Sequence, residues 1–268
     1  MKENNSARIT VIMGIYNCES TIADALDSLL SQTYKKIIIL MCDDNSTDGT
    51  YDIAHKYTTK YPNIILLKNV KNQGLNYTLN RCLDLVETEY IARMDGDDIS
   101  LPERFQKQLD FLDSNPQYSI VSCPMIYFNE NGNFRFGKVQ VKEPTKYDFV
   151  KGTPFCHAPS MMRTSAIKSV GGYSINKRLL RVEDYHLWFK MYSKGFRGYN
   201  LSEPLYKMRD DDNAFKRRTF TNRINEVYVK YIGFKMLKLP LYYQIFSLRP
   251  IIIGLLPKCL YTYFHNRF

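Results

Sequence analysis

Three carboxylates, Asp95, Asp97 and Asp98, stand within four positions of one another in the stretch YIARMDGDDISLPER, residues 90–104. The stretch reads as a short apolar strand, an acidic turn and a helix start. Ser100 and Glu103 have the spacing of a capping box, and Pro102 suits a first helical turn. In open α/β sheets, the gap between a strand's carboxyl end and the next helix is where ligands bind. Carboxylates crowded there repel one another unless a cation lies between them, and a hard divalent ion carrying phosphate suits their oxygens. The same residues also suit a solvated turn, so this stretch alone leaves both readings open. Two further acidic places accompany it: DDNSTDGT at 43–50, and the pair Glu183-Asp184 in VEDYHLWFK at 182–190.

The segments around these acids have the periods of strands and helices. Residues 8–14 (RITVIMG) form an apolar run of strand length. Within 20–32, Ile22, Ala25, Leu26, Leu29 and Leu30 recur as one face of a helix. The continuous run 37–42 (IIILMC) predicts a strand buried on both faces of a parallel sheet. A polar turn at 43–49 then leads into a helix over about 49–60. A third strand is expected at 64–67. Gly74 opens a helix with Leu75, Leu79, Cys82, Leu83 and Val86 on one side, and the strand at 90–94 delivers the acidic cluster. This alternation predicts an α/β fold with a mostly parallel twisted sheet and helices on both faces. Both acidic turns follow strands, which places them side by side on one sheet edge. Residues 119–127 predict another strand, 128–160 an antiparallel elaboration broken by Asn, Gly and Pro, and 179–194 a helix stopped by Gly195. A last strand is expected at 205–209.

The chain has 268 residues, 44% hydrophobic and 24% charged, with 21 Tyr and 15 Phe, which suits a packed globular protein. Its six cysteines show no CxxC and no paired spacing, which argues against a zinc site or a disulfide framework. The polar start MKENNSAR lacks the apolar stretch of a secretory signal. Net charge is +10, and from Lys207 onward there are 12 Lys/Arg against 4 Asp/Glu. Such an excess suits nucleic acid or an anionic membrane surface.

Taken in order, the motifs resemble those of the family 2 glycosyltransferases, which have the GT-A fold and transfer a sugar from a nucleotide diphosphate with inversion. The pieces that carry the resemblance are VIMGIYN at 11–17, SLLSQTY at 28–34, DDNSTDGT at 43–50, NQGLNYTLN at 72–80, MDGDD at 94–98 and VEDYHLWFK at 182–190. It spans about residues 8–210, with a nucleotide-binding half at about 8–115 and an acceptor half at about 116–210. The resemblance implies a UDP-sugar donor. Tyr16 would pack against the uracil and Asp44 would accept its N3–H, helix capping being the plainer role for Asp44. Asn72 and Gly74 would line the nucleotide or simply start a helix. Asp95 would reach the ribose or a metal-bound water, and Asp97 would ligate Mg²⁺ or Mn²⁺. Asp98 is left to the turn. Asp184 would be the catalytic base, with Glu183 beside it on the acceptor side. His157 either touches the acceptor or is a satisfied core histidine, and Trp188 either stacks on an acceptor sugar or belongs to the core.

Three departures qualify the resemblance. Gly14 replaces the Pro or Thr common before the Tyr-Asn pair. The histidine that many relatives carry after the strand at 205–209 is absent, so Lys207 or Arg209 would face the phosphates instead. The QxxRW motif of processive synthases is also missing, which implies one sugar per encounter. A sugar nucleotidyltransferase would need a Gly-rich, basic loop after the first strand, and GIYNCES is not one. A sugar-nucleotide-binding protein without turnover remains a second alternative.

Residues 211–268 read as a basic amphipathic extension. Ile224, Val227, Tyr228 and Tyr231 share one helical face, and Lys216, Arg217, Arg218, Arg223 and Lys230 lie elsewhere. The longest apolar run, 251–256, is far short of the ~20 residues that a spanning helix requires. Basic residues mixed with Tyr, Phe, Leu and Ile suggest a segment lying in the interface of an anionic bilayer rather than a nucleic-acid face. Together these features predict a peripheral protein on the cytoplasmic face of the inner membrane. It would act on a lipid-linked oligosaccharide in surface polysaccharide (O-antigen or capsule) synthesis.

Overall fold

The computed structural model describes residues 7–139, 141–210 and 219–255. The expected alternation is present: β1 (Ile9–Ile15), α1 (Ile22–Leu30), β2 (Ile37–Asp43), α2 (Thr50–Lys60), β3 (Ile64–Lys68), α3 (Leu75–Asp84) and β4 (Tyr90–Arg93). Next come β5 (Ile99–Ser100), α4 (Arg104–Ser114), β6 (Ile120–Ser122), β7 (Met125–Asn129), β8 (Gly132–Phe136), β9 (Met161–Arg163), α5 (Thr164–Ser169) and α6 (Glu183–Ser193). The chain closes with β10 (Gly198–Asn200), β11 (Tyr206–Arg209), α7 (Phe220–Met236), a 3₁₀ segment (Leu241–Leu248) and α8 (Arg249–Leu255).

A seven-stranded sheet runs β10-β6-β9-β4-β1-β2-β3, and a four-stranded sheet runs β5-β11-β7-β8. In the larger sheet only β9 is antiparallel to its neighbours β4 and β6. Alternation along β1 explains the two-sided core. Ile9, Val11, Met13 and Ile15 join the side chains of α1 and α4 on one face, and Ile12 joins those of α3, α5, α6 and α7 on the other. The helical face read from the sequence in α1 is the buried one, with Ile22, Ala25, Leu26 and Leu29 all enclosed.

Helix α7 packs into this second core. Phe234 and Val229 are buried, and Gly233 leaves room for the Phe189 ring, which a Cβ there would meet at 2.3 Å. So α7 packs as part of the body of the protein. Residues 211–218 and 256–268 of the expected extension, including Lys216, Arg217 and Arg218, lie outside the described residues. Among the described residues no helix is long and apolar enough to cross a membrane.

The capping box expected at Ser100 is not formed. Ser100 lies in β5, its Oγ within 3.1 Å of the Gln32 side-chain amide, and α4 begins at Arg104 without a side-chain cap. A strand pairing with β11 outcompetes the local signal, since Ser100 pairs with Tyr206. That pairing locks the acidic loop between two sheets.

Candidate functional site

Strand register brings the acidic turns together. Ile15 pairs with Asp43 and Ile12 with Arg93, so Tyr16, Asp44 and the loop 94–98 all emerge at one edge of the sheet. The Asp44 N–H donates to the Ile15 carbonyl at 2.9 Å, which fixes the first two turns against each other.

Asp44 is almost wholly enclosed and accepts three hydrogen bonds. They come from the Asn69 side chain (2.6 Å), the Gln73 N–H (2.9 Å) and the Gly74 N–H (2.7 Å). It therefore ties down the loop before α3; the N-terminus of α2 is served instead by Asp48, which accepts from the Thr50 N–H at 3.0 Å. Gly74 has φ +85°, a conformation costly for other residues and needed here to aim its N–H at Asp44. Tyr16, Asp44, Asn72 and Gly74 line a cavity of about 400 Å³, and Leu180, Arg181, Glu183 and Asn222 form its opposite wall.

Asp95, Asp97 and Asp98 each offer a carboxylate oxygen, all within 4.8 Å of one another. Asp97 is exposed, Asp95 half-buried and Asp98 buried. Gly96 is required between them because a Cβ there would meet the Cys18 sulfur at 2.8 Å. Asp98 accepts the Arg209 N–H at 2.8 Å, and Arg209 Nε donates to the Asp97 carbonyl at 3.1 Å, so β11 braces the loop. Burial and the charges of Asp95 and Asp97 hold the Asp98 carboxyl well above the usual carboxylate range. The structure thus groups three acids where the sequence reading set Asp98 apart. Repulsion of this kind, among hard oxygen donors, suits a divalent cation.

Arg93 is the feature that sequence reasoning missed. It is 3% exposed, forms an ion pair with Asp95, and its Nε has no hydrogen-bond partner. Its charge also acts on Glu183 and Asp184. The signal available was an arginine closing an otherwise apolar strand, YIAR, beside the acids.

Glu183 and Asp184 occupy the first turn of α6. Consecutive residues on a helix point in different directions, and here they face different cavities. Glu183 lines the cavity shared with Tyr16 and Asp44. Asp184 lines a second cleft of about 600 Å³ with His157, Asp148, Lys151 and Asn200. Burial, then the charge of Glu183, raises the Asp184 carboxyl to about 7. His157 Nε2 and the Tyr173 hydroxyl are hydrogen-bonded at 2.8 Å, and burial with the nearby Arg93 charge keeps the imidazole neutral. It is a satisfied histidine that also forms cleft wall. Trp188 is fully buried, edge-on to Phe155 and His157, the core position that is one of its two readings. Helix α6 is enclosed on most sides, and Tyr185, Leu187, Phe189 and Met191 are buried with it.

The family model described as "Glycosyl transferase family 2" matches residues 10–171. "Putative glycosyltransferase EpsE" of Bacillus subtilis is 43% identical over 265 residues, covering 98% of this chain and 95% of that protein. The Escherichia coli protein "UDP-Glc:alpha-D-GlcNAc-diphosphoundecaprenol beta-1,3-glucosyltransferase WfaP" is 31% identical over 202 residues, covering 75% of this chain and 77% of its own. Among solved structures, S. aureus TarS 1-349 in complex with UDP aligns with a TM-score of 0.69 at 20% identity. That alignment covers 94% of this chain and 76% of the TarS chain, and it shows a shared fold.

Proposed function

The chain belongs to glycosyl transferase family 2, and from that premise we propose that it moves a hexose from a UDP-sugar to a hydroxyl of a lipid-linked saccharide, with inversion and one sugar per encounter. It is a glycosyltransferase, and its relatives include glycosyltransferases of amylovoran and O-antigen biosynthesis. The observation that carries the finer reading is the division of labour at Glu183-Asp184, where adjacent carboxylates face two separate cavities. A donor in the first cavity and an acceptor in the second would meet at that junction.

In the donor cavity Tyr16, half exposed, is free to pack on the uracil, while Asp44 retains accepting capacity for its N3–H. Asn72 and Gly74 supply the floor. Asp95 and Asp97 are the residues to hold Mg²⁺ or Mn²⁺, with Asp98 completing the cluster. Such an ion, when bound, offsets the charge that grows on the departing diphosphate. Arg93 holds Asp95 in place from within the core. Asp184, poised near neutrality, takes the proton of the acceptor hydroxyl as its oxygen forms the new bond to the anomeric carbon. The bond from that carbon to the diphosphate breaks, and UDP leaves with the electron pair.

The acceptor's lipid is read from the name of WfaP and from the surface beside the acceptor cleft. The 3₁₀ segment Leu241–Leu248 is inverted: it encloses Ser247 and leaves Leu241, Tyr242, Ile245, Phe246 and Leu248 exposed. Tyr243 reaches Tyr147 (5.8 Å between ring centroids), and Arg249 donates to the Lys151 carbonyl at 3.2 Å, so this face adjoins the cleft wall at Asp148 and Lys151. Lys235 and Lys238, just before it in sequence, and Lys151 and Arg249 are exposed. Exposed apolar side chains accompanied by cations suit the interface of an anionic bilayer, here the cytoplasmic face of the inner membrane. The reading is tested with the full chain, a panel of nucleotide sugars and diphosphate-linked polyprenol saccharides, with and without Mn²⁺. UDP-hexose should be consumed only when metal and acceptor are present; protein that transfers from no nucleotide sugar overturns the proposal.

A further inference from the structure

The donor cavity gathers negative charge on its own walls, apart from the acidic cluster that would hold the metal ion. Its lining includes two carboxylates, Asp44 and Glu183, and the ligand proposed for it carries a doubly charged diphosphate. Among the described residues that line it, Arg181 is the one cation.

Arg181 is held there in an unusual way. Its φ is +69°, one of four non-glycine residues with positive φ among the described residues, in a region that a long side chain rarely adopts. Such a conformation persists only where the surroundings over-determine it, and it concentrates at ligand clamps. Here α7 supplies the constraint. The buried Asn225 side chain donates to the Leu180 carbonyl at 3.1 Å, and Tyr228 of the same helix packs under the Arg178 guanidinium, 5.4 Å from ring centroid to Cζ. On the other side of Arg181, the Val182 N–H donates to the Leu179 carbonyl at 3.2 Å, just before α6 begins. The turn is thus pinned from both flanks while the Arg181 side chain stays exposed at the cavity wall. Asn222, one turn before Asn225, lines the same wall.

We propose that Arg181 is a donor-binding residue: the pinned turn presents its guanidinium to the diphosphate of the nucleotide, opposite the wall formed by Tyr16 and Asn72. This rests on the UDP-sugar reading of the cavity. A guanidinium matches phosphate oxygens in charge and in its forked geometry. It also makes α7 a working part of the donor site, since the helix sets the turn that aims the arginine.

The test is calorimetric titration of the full chain with UDP and with uridine, in Mn²⁺, for wild type, Arg181→Gln and Arg181→Gly. Glycine suits the positive φ, so that variant removes the charge without straining the turn. Both variants should bind UDP about 10–100-fold more weakly, the range for losing a charge-assisted hydrogen bond, and uridine within about twofold of wild type. The salt dependence of UDP binding should flatten in both. UDP affinity equal to wild type in either variant, or an equal loss for UDP and uridine, overturns the role of Arg181. Wild type that binds neither ligand instead removes the UDP-sugar reading on which the proposal stands.

Discussion

Asp44 and Asp184 are carboxylates in the two halves of one site, and their surroundings are opposites. Asp44 accepts three hydrogen bonds from Asn69, Gln73 and Gly74, which replace the water it has lost. Asp184 accepts the Tyr185 N–H at 2.7 Å and lies beside the like charge of Glu183. The first arrangement holds a charge still for binding; the second leaves a carboxylate under-solvated and ready to take a proton. On the proposed reading, a donor half rests on saturated loop contacts and an acceptor half on a desolvated base.

The largest expected effect separates the halves by pH. A base must be ionised, so with Asp184 near 7 transfer should fall about tenfold per unit below that value, roughly 100-fold by pH 5. UDP affinity measured over the same range should change far less. A rate profile flat from pH 5 to 8 would break the contrast.

Stability gives the next effect, with opposite signs for the two acids. The Asp184 value is raised by folding, so its contribution is fully present below its unfolded value near 4 and is lost as pH rises through about 7. Asp184→Asn stays neutral and avoids that loss. It should therefore unfold about 2–4 kcal/mol harder than wild type at pH 8, with the difference vanishing by pH 4. Asp44→Asn should lose about 1–3 kcal/mol instead, because an amide N–H would face donors that now have an acceptor. Denaturant melts at the two pH values check both signs.

The smallest effect concerns the face beside the acceptor cleft. Ile245→Asp with Phe246→Asp should reduce co-flotation with phosphatidylglycerol vesicles and slow transfer to a lipid-linked acceptor several-fold, with UDP affinity unchanged. Undiminished flotation would remove the membrane from the account.

The two halves also differ in how legible they were. In the donor half, the helical face of α1, the strands and the sheet edge carrying the acidic turns followed from local periodicity. Contacts distant in sequence were less legible in either half, and most of the acceptor half depends on them. Strand β9 enters the sheet antiparallel between β4 and β6, and β5 forms only because β11 returns to it from more than 100 residues away. Ser100 looked like a cap because capping is local, and the strand pairing is not. Arg93 escaped notice because its role depends on Asp95 and on a helix 90 residues later. The surroundings of Trp188 and Glu183 could not be read locally for a similar reason: the packing of α6 against its neighbours in the core, rather than the motif, decides where each side chain lies.

The most direct test compares one substitution across both halves. Asp184→Asn is titrated with UDP and Mn²⁺ and assayed for single-turnover transfer at pH 8. UDP affinity should stay within about twofold of wild type, and transfer should slow by ~10²–10⁴-fold, the usual worth of a general base. Transfer within a few-fold of wild type, with binding intact, would contradict that role for Asp184.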